Sequence, residues 1–379
     1  MNASAARPRV LHCHSTFAAG GKELRAVKLM NAFGGALDHA VVSAEPGEMA
    51  AKAHLERKVR VSFPADFPAL TGFPSPGRLV AIAEAMKGYD LVLTYNWGAM
   101  DAVMAHTVFA GPLGLPPLIH HEDGFNEDET TRLKTRRNWY RRIALTRTNG
   151  LVVPSMGLER IAREVWKVSP ARLSRIPNGI DTARFARPPE PGGFRVVKRE
   201  GERWVGTLAG LRPVKQLGDL VQAVTLLGEE WHLVIIGDGP ERDRVRALAD
   251  ELEISHRVHL PGPHPDPAQV IGLIDIFALS SRSEQFPLSV VEAMAAGLPV
   301  AAPAVGDIRA MVAEPNRPFI CVAHDWRALG QMLRDLAAEP ALAAEIGAAN
   351  RARARELYDE AAMIARYRDL YGAALGREI

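Results

Sequence analysis

The chain has 379 residues, 47% of them hydrophobic and 24% charged, with 46 Lys and Arg set against 44 Asp and Glu. At about 100–200 residues per domain that length suggests two domains, and the composition excludes long disorder, a collagen-like fibre and a disulfide scaffold. A net charge of +2 gives no global field that would select nucleic acid, so any basic partner surface must be local.

The only cysteines, Cys13 and Cys321, stand far apart, which fits a reducing compartment. The start, MNASAARPRVLHCHS, has no apolar stretch of signal-peptide length, and no apolar run nears the ~20 residues of a membrane span. A cytoplasmic location is expected, free or peripheral on the membrane face.

From the N-terminus, RVLHCH (9–14), HAVVSA (39–44), DLVLTY (90–95), PPLIHH (116–121) and GLVVPS (150–155) read as buried strands. Between them KELRAVKLMNAF (22–33), PGRLVAIAEAMKG (76–88) and MGLERIAREVWK (156–167) have apolar spacing near 3.6 and read as helices. This alternation predicts right-handed βαβ units and a parallel sheet. The Pro-, Gly- and charge-rich stretch 186–203 interrupts it, with the crossover between halves at about 179–200.

The grammar restarts with WVGTLAG (204–210), HLVIIGDG (232–239), RVHLPG (257–262), DIFALSS (275–281), PVAAPA (299–304) and PFICVA (318–323). Helices are expected around 215–228, 240–252, 287–296 and 326–337, and from about 339 the pattern is helical only. The economical reading is α/β: two Rossmann-like domains facing across a cleft.

Chemistry-bearing residues gather between these elements. Gly20 and Gly21 sit between the first strand and helix, but not as G-x-G-x-x-G, so a nicotinamide oxidoreductase lacks its fingerprint. His120, His121, Glu122 and Asp123 emerge where a buried strand ends; neighbours in a strand point to opposite faces, which weakens a metal reading. Residues 132–147 carry seven Lys or Arg and no acid, with Trp139, Tyr140 and Ile143 interleaved. That pattern suits an anionic membrane surface or a lipid diphosphate, or else a solvated helix with its apolar side in the core. Gly206 and Gly210 precede Arg212 and Lys215, cations suited to a diphosphate leaving group or simply a solvated pair.

In EQFPLSVVEAMAAGLP (284–299), Glu284 lies in a loop and Glu292 inside the helix that Pro287 opens and Gly297 stops. Free N–H groups at 287–290 would suit a phosphate, Glu284 sugar hydroxyls and Glu292 a ribose. The bland alternative is an amphipathic surface helix with a loop glutamate.

With PVAAPAVGDIRAMV (299–312) after it, this segment resembles the E-x7-E signature of retaining GT-B glycosyltransferases of family 4. IPNGIDTARF (176–185), LAGLRPVKQL (208–217) and IIGDGPERDRV (235–245) resemble further family motifs in the same order. The resemblance implies an acceptor-binding domain at 1–183, joined by a C-terminal helix at about 360–379, and a donor-binding domain at 184–359. It implies catalytic roles for Glu284, His120, Arg212 and Lys215. Donor contacts would come from these cations and Glu284 with Gly20, Gly21, Gly206, Gly237, Gly239, Phe286, Pro287, Leu288, Ser289 and Glu292, the base lying near 235–240 and 258–264. His121, Glu122 and Asn178 would stand on the acceptor side.

The implied activity is hexosyl transfer from a UDP-, GDP- or ADP-sugar to a glycan or lipid-linked acceptor, in lipopolysaccharide or other envelope polysaccharide synthesis. It needs no cofactor and no Asp-x-Asp metal centre. Two departures stand out: Asp123 where some relatives have a second histidine, and Gln285 where many have glycine. An epimerase, a phosphorylase-type GT-B enzyme and a non-catalytic glycan- or partner-binding member share the expected fold.

Overall fold

The structure, a computed structural model, describes residues 6–125, 129, 133–190, 192, 194–322 and 325–379. The chain divides into two compact units, one running to Pro177 and taking in Met363–Ile379, the other Asn178–Ala362.

The first unit is built on seven parallel strands: β1 (Arg9–His14), β2 (Asp38–Ser43), β3 (Arg60–Ser62), β4 (Leu91–Tyr95), β5 (Leu118–His121), β6 (Gly150–Val153) and β7 (Leu173–Arg175). Their order is β3-β2-β1-β4-β5-β6-β7. Helices α1 (Gly21–Phe33), α2 (Pro76–Met86), α3 (Met100–Leu113), α4 (Thr135–Ala144) and α5 (Met156–Glu164) cover it. Alternate residues of β1 serve opposite faces: Leu11 and Cys13 join one apolar core, Val10 the other.

The second unit has six parallel strands: β8 (Arg203–Leu208), β9 (Trp231–Ile236), β10 (Val258–Gly262), β11 (Ile276–Ala278), β12 (Val300–Pro303) and β13 (Ile320–Cys321). They are ordered β10-β9-β8-β11-β12-β13. Its helices are α6 (Thr182–Phe185), α7 (Leu217–Val224), α8 (Arg242–Glu251), α9 (Leu288–Ala296), α10 (Ile308–Met311), α11 (Trp326–Ala338) and α12 (Pro340–Leu357). A last helix, α13 (Glu360–Leu375), carries the chain back into the first unit, where Tyr367 and Tyr371 are buried. Both sheets are Rossmann-like, as the strand–helix alternation predicts.

Besides the four-residue helices α6 and α10, too short to show a period, three elements escape the periodicity argument. Strands β3 and β7 are three-residue edge strands, RVS and LSR, with no apolar run to announce them. Helix α3 is apolar on nearly every side, so its 3.6 period is washed out. The strand expected at 318–323 shortens to Ile320–Cys321 because a 3-10 turn occupies Glu314–Phe319; Ala323 lies outside the described residues. Among the described residues no helix is long and apolar enough to cross a membrane.

Candidate functional site

In a parallel sheet all strands end on one edge, and in the second unit the loops after β8, β9 and β11 meet there. Main-chain bonds interlace them. Ala209 N–H donates to the Ile236 carbonyl at 3.1 Å, Leu211 N–H to Asp238 at 2.9 Å, and Arg282 N–H to Val214 at 2.8 Å. Gly237 and Gly239 have φ of 149° and 154°, and a Cβ on them would stand 1.9 Å from the Ala209 oxygen and 2.6 Å from the Leu211 oxygen. Only glycine permits this approach.

The interlacing brings together side chains far apart in sequence. Lys215 Nζ donates to Glu284 Oε1 at 2.6 Å, with the two side chains 18% and 12% exposed. Ser280 Oγ donates to the Lys215 carbonyl at 2.8 Å, which fixes the main chain beneath the cation. Arg212, three residues earlier on the same loop, is exposed.

Helix α9 opens beside this pair. Pro287 is its N-cap rather than a first-turn residue, and it has no N–H to offer. Val290 N–H is taken by the Pro287 carbonyl at 3.1 Å, so the free amides expected at 287–290 narrow to those of Leu288 and Ser289. Gly297, at φ 79°, closes the helix as expected. Phe286 stands edge-on to Tyr358 at 5.5 Å, and Glu292 is half-buried further along the helix. Gly206 has another reason to be small: it lies buried in mid-strand, where a Cβ would come within 2.4 Å of Ile274. It serves packing, not close approach of a ligand.

In the first unit, Gly20 is the N-cap of α1 and Gly21 its first residue. The loop before them is stapled by Thr16 Oγ1 donating to Glu23 at 3.0 Å and by Lys22 Nζ donating to Ser15 Oγ at 2.8 Å. His120 is fully buried, its Nδ1 2.8 Å from Thr94 Oγ1 and its Nε2 without a hydrogen-bond partner. Glu122, on the same face, accepts from Arg141 Nε at 3.2 Å. Arg141 also spans to Glu129 and is enclosed by Trp97, Phe125 and Trp166, whose ring centres lie 4.9–5.3 Å away.

His121 points the other way, its Nδ1 on the Thr94 carbonyl at 3.2 Å and its Nε2 on Tyr371 Oη at 2.9 Å. The structure therefore places His120, His121 and Glu122 all in the interior, 0%, 1% and 0% exposed, rather than on an open surface. Asp123 makes a bidentate pair with Arg25, and Asn178 is the half-buried first residue of the second unit.

Burial depresses several imidazoles here. It holds His12, His14 and His121 well below their ordinary value, aided at His12 by His39, at His14 by Lys22 and Arg25, and at His121 by Arg25. His39 falls to about 4, again from burial. Sequence reasoning missed Arg25 and Arg141 as buried ion-pair partners. For Arg25 the one signal was a cation among apolar helix neighbours; Arg141 had none in its basic helix.

The basic segment forms α4; Arg132 lies outside the described residues. Arg141 turns inward and Arg137 pairs with Glu129, so neither adds to the outer charge. Facing solvent are Arg136, Trp139 at 57% exposure, Arg142 stacked 5.2 Å over the Trp139 ring, and Ile143 at 52%.

Family comparison decides the lineage. Residues 19–184 match Glycosyltransferase Family 4, and residues 194–353 match Glycosyl transferases group 1. The chain belongs to the family 4 glycosyltransferases. This family 4 chain is 32% identical over 220 residues to D-inositol 3-phosphate glycosyltransferase of Xylanimonas cellulosilytica, covering 54% of the chain and 52% of the relative. It is 26% identical over 236 residues to UDP-Gal:alpha-D-GlcNAc-diphosphoundecaprenol alpha-1,3-galactosyltransferase of Escherichia coli, covering 58% and 60%. The chain spans about half the length of the curated relatives it matches. Anabaena HepE, solved in complex with UDP, superposes with a TM-score of 0.79 at 19% identity, over 96% of this chain and all of HepE. The fold is GT-B.

Proposed function

We propose that the protein is a retaining hexosyltransferase that moves a sugar from a nucleotide diphosphate sugar to a glycan or lipid-linked acceptor, at the cytoplasmic face of the envelope. The observation that carries this reading is the Lys215–Glu284 pair at the mouth of α9, with Arg212 on the adjoining loop. Fixed cations and helix amides at one point favour a diphosphate. When the diphosphate binds, Lys215 shifts its charge from Glu284 to the phosphate oxygens. The freed carboxylate accepts hydrogen bonds from the sugar, and Glu292 from the ribose.

As the anomeric C–O bond breaks, negative charge grows on the departing nucleoside diphosphate, where Arg212, Lys215 and the Leu288 and Ser289 amides stabilise it. The acceptor oxygen attacks from the same face and gives its proton to the leaving phosphate. No metal ion is needed in this scheme, because the cations carry the compensating charge. The first unit takes the acceptor near Gly20 and Gly21, whereas the His120 ring is buried and offers it no surface. The E. coli relative's name supports UDP as one donor nucleotide and a lipid diphosphate as one acceptor type.

A thermal-shift panel of UDP, GDP, ADP and their sugars tests the donor site. One nucleotide is expected to raise Tm, since a ligand at about 100 times its Kd adds about 2.7 kcal/mol to a native state that alone binds it. Silence from all three would remove the assignment.

The outer face of α4 supports peripheral contact with an anionic bilayer. An apolar pair at i, i+4 with arginines around it suits the headgroup boundary. Co-sedimentation with vesicles containing phosphatidylglycerol is expected, and the Trp139→Ala/Ile143→Ala variant should stay in the supernatant. Equal retention of the variant would refute this contact.

A further inference from the structure

Two adjacent carboxylates follow the last residue of β5, and a buried arginine meets each of them. Main-chain bonds hold both: Glu122 N–H donates to the Val152 carbonyl of β6 at 3.0 Å, and Asp123 N–H to Asn96 Oδ1 at 2.8 Å. Glu122 turns to Arg141 of α4, a helix whose Ala144 lies in the core with Leu11 and Cys13. Asp123 turns to Arg25 of α1, whose Val27 and Met30 line the core on the other face of the sheet. Arg25 Nη2 donates to Asp123 Oδ2 at 2.9 Å, and Nη1 to Oδ1 in parallel, with the two side chains 7% and 13% exposed. Such a fork fixes a plane as well as a distance.

Arg25 stands one turn into α1 from Gly21, the first residue of the helix. Its guanidinium also lies 5.7 Å from the centre of the Tyr367 ring on α13. The staples of the preceding loop, Thr16 to Glu23 and Lys22 to Ser15, tie the glycines to their own helix and to the end of β1. The Arg25–Asp123 fork ties that helix to β5. With the fork in place, the start of α1 cannot slide or turn against β5 without opening two charge-assisted bonds at once.

Stability does not require this choice of residues. A buried ion pair replaced by apolar side chains of like volume is often neutral or stabilising, whereas removing one partner leaves a buried charge uncompensated. What an apolar pair lacks is direction. The fork also accounts for one of the two departures from relatives: a carboxylate at 123 has two oxygens for the two prongs of Arg25, and an imidazole does not.

We propose that Arg25 and Asp123 are positioning residues: their fork sets the Gly20–Gly21 start of α1 against the end of β5, and thereby the place where the first unit takes its acceptor. The acceptor half of this statement rests on the transferase reading; the placement of α1 does not.

Hydrogen exchange and sugar transfer by the full chain test it together. Asp123→Ala removes one buried charge and leaves the other, so its Tm should fall. In the Arg25→Met/Asp123→Leu double variant, Tm should return to within a few degrees of the wild type. The Gly20 and Leu24 amides, which donate to the Ala18 and Gly20 carbonyls, should still exchange about tenfold faster than in the wild type, the size of one buried hydrogen bond. With UDP-galactose and GlcNAc-diphosphoundecaprenol as probes, kcat/KM for the acceptor should stay about tenfold low. The Tm rise that a nucleotide gives should persist, because Arg212, Lys215 and Glu284 lie in the other unit.

A pair that serves stability alone would give back exchange and transfer together with Tm, and that result would overturn the proposal. Should the double variant fail to fold, Arg25→Lys decides, since its ammonium keeps the charge but not the fork. A Tm near that of the wild type, with exchange and acceptor kcat/KM displaced as above, is expected; unchanged exchange and kcat/KM would overturn the proposal. A wild type that moved no galactose to this acceptor would count against the transferase reading alone, and the exchange rates would still decide the placement of α1.

Discussion

Lys215→Ala is expected to lower kcat/KM for the donor by about 10²–10³-fold, while Tm moves by no more than a few degrees. The asymmetry follows from where the residue sits. Its pairing with Glu284 is partly exposed, and such pairs contribute about 1 kcal/mol or less to folding. A cation fixed beside a leaving group that gains charge is worth much more, about 2.7–4 kcal/mol at the transition state. Lys215→Arg should recover only part of the loss, because the planar guanidinium cannot replace a compact ammonium held between Glu284 and the phosphate. Steady-state kinetics decide the matter: an alanine variant with unaltered kcat/KM would mean that the diphosphate binds elsewhere.

Acidification should produce the largest change in stability, and its sign is fixed by the direction of the histidine shifts. His12, His14 and His121 lie well below 6.5 in the folded state, and His39 lies at about 4. Between about pH 6.5 and 4 the unfolded chain therefore binds more protons than the native one, and stability falls as pH falls through that window. Above 6.5 their contribution is complete, and these groups give no further slope. His39 alone represents about 3 kcal/mol. His12, His14 and His121 act in the same direction. Calorimetric scans at pH 7.5, 6 and 5 should show a steep drop in the transition of the first unit. A Tm constant across that series would contradict the buried, neutral state of these rings.

What the sequence reveals depends on whether a residue's partner is near it in the chain. Most strands were legible because a parallel strand covered on both faces must be apolar throughout, as LVLTY and WHLVII are. Helix α9 was legible because Gly297 marks its end without reference to anything distant. Helix α3 was not, for uniform burial erases the period that betrays a helix.

The site divides along the same line. Glu284 and Lys215 stand out through local motifs, but their 2.6 Å contact exists only because glycines let three loops close on one another. Arg141 reads as one more cation in a basic helix until Glu122 and Glu129 appear beside it. His121 reads as a candidate acceptor-side residue until Tyr371, 250 positions away, closes over its ring.

That closure bears on how the protein is made. The first unit is discontinuous in sequence, begun by the earliest residues and completed only by Met363–Ile379. During synthesis the later-starting unit has all of its parts first. All seven strands of the first sheet precede α13 in the chain, so His121 is made 250 positions before the Tyr371 that closes over its ring. A chain ending at Ala362 would hold every part of the second unit and lack the last segment of the first.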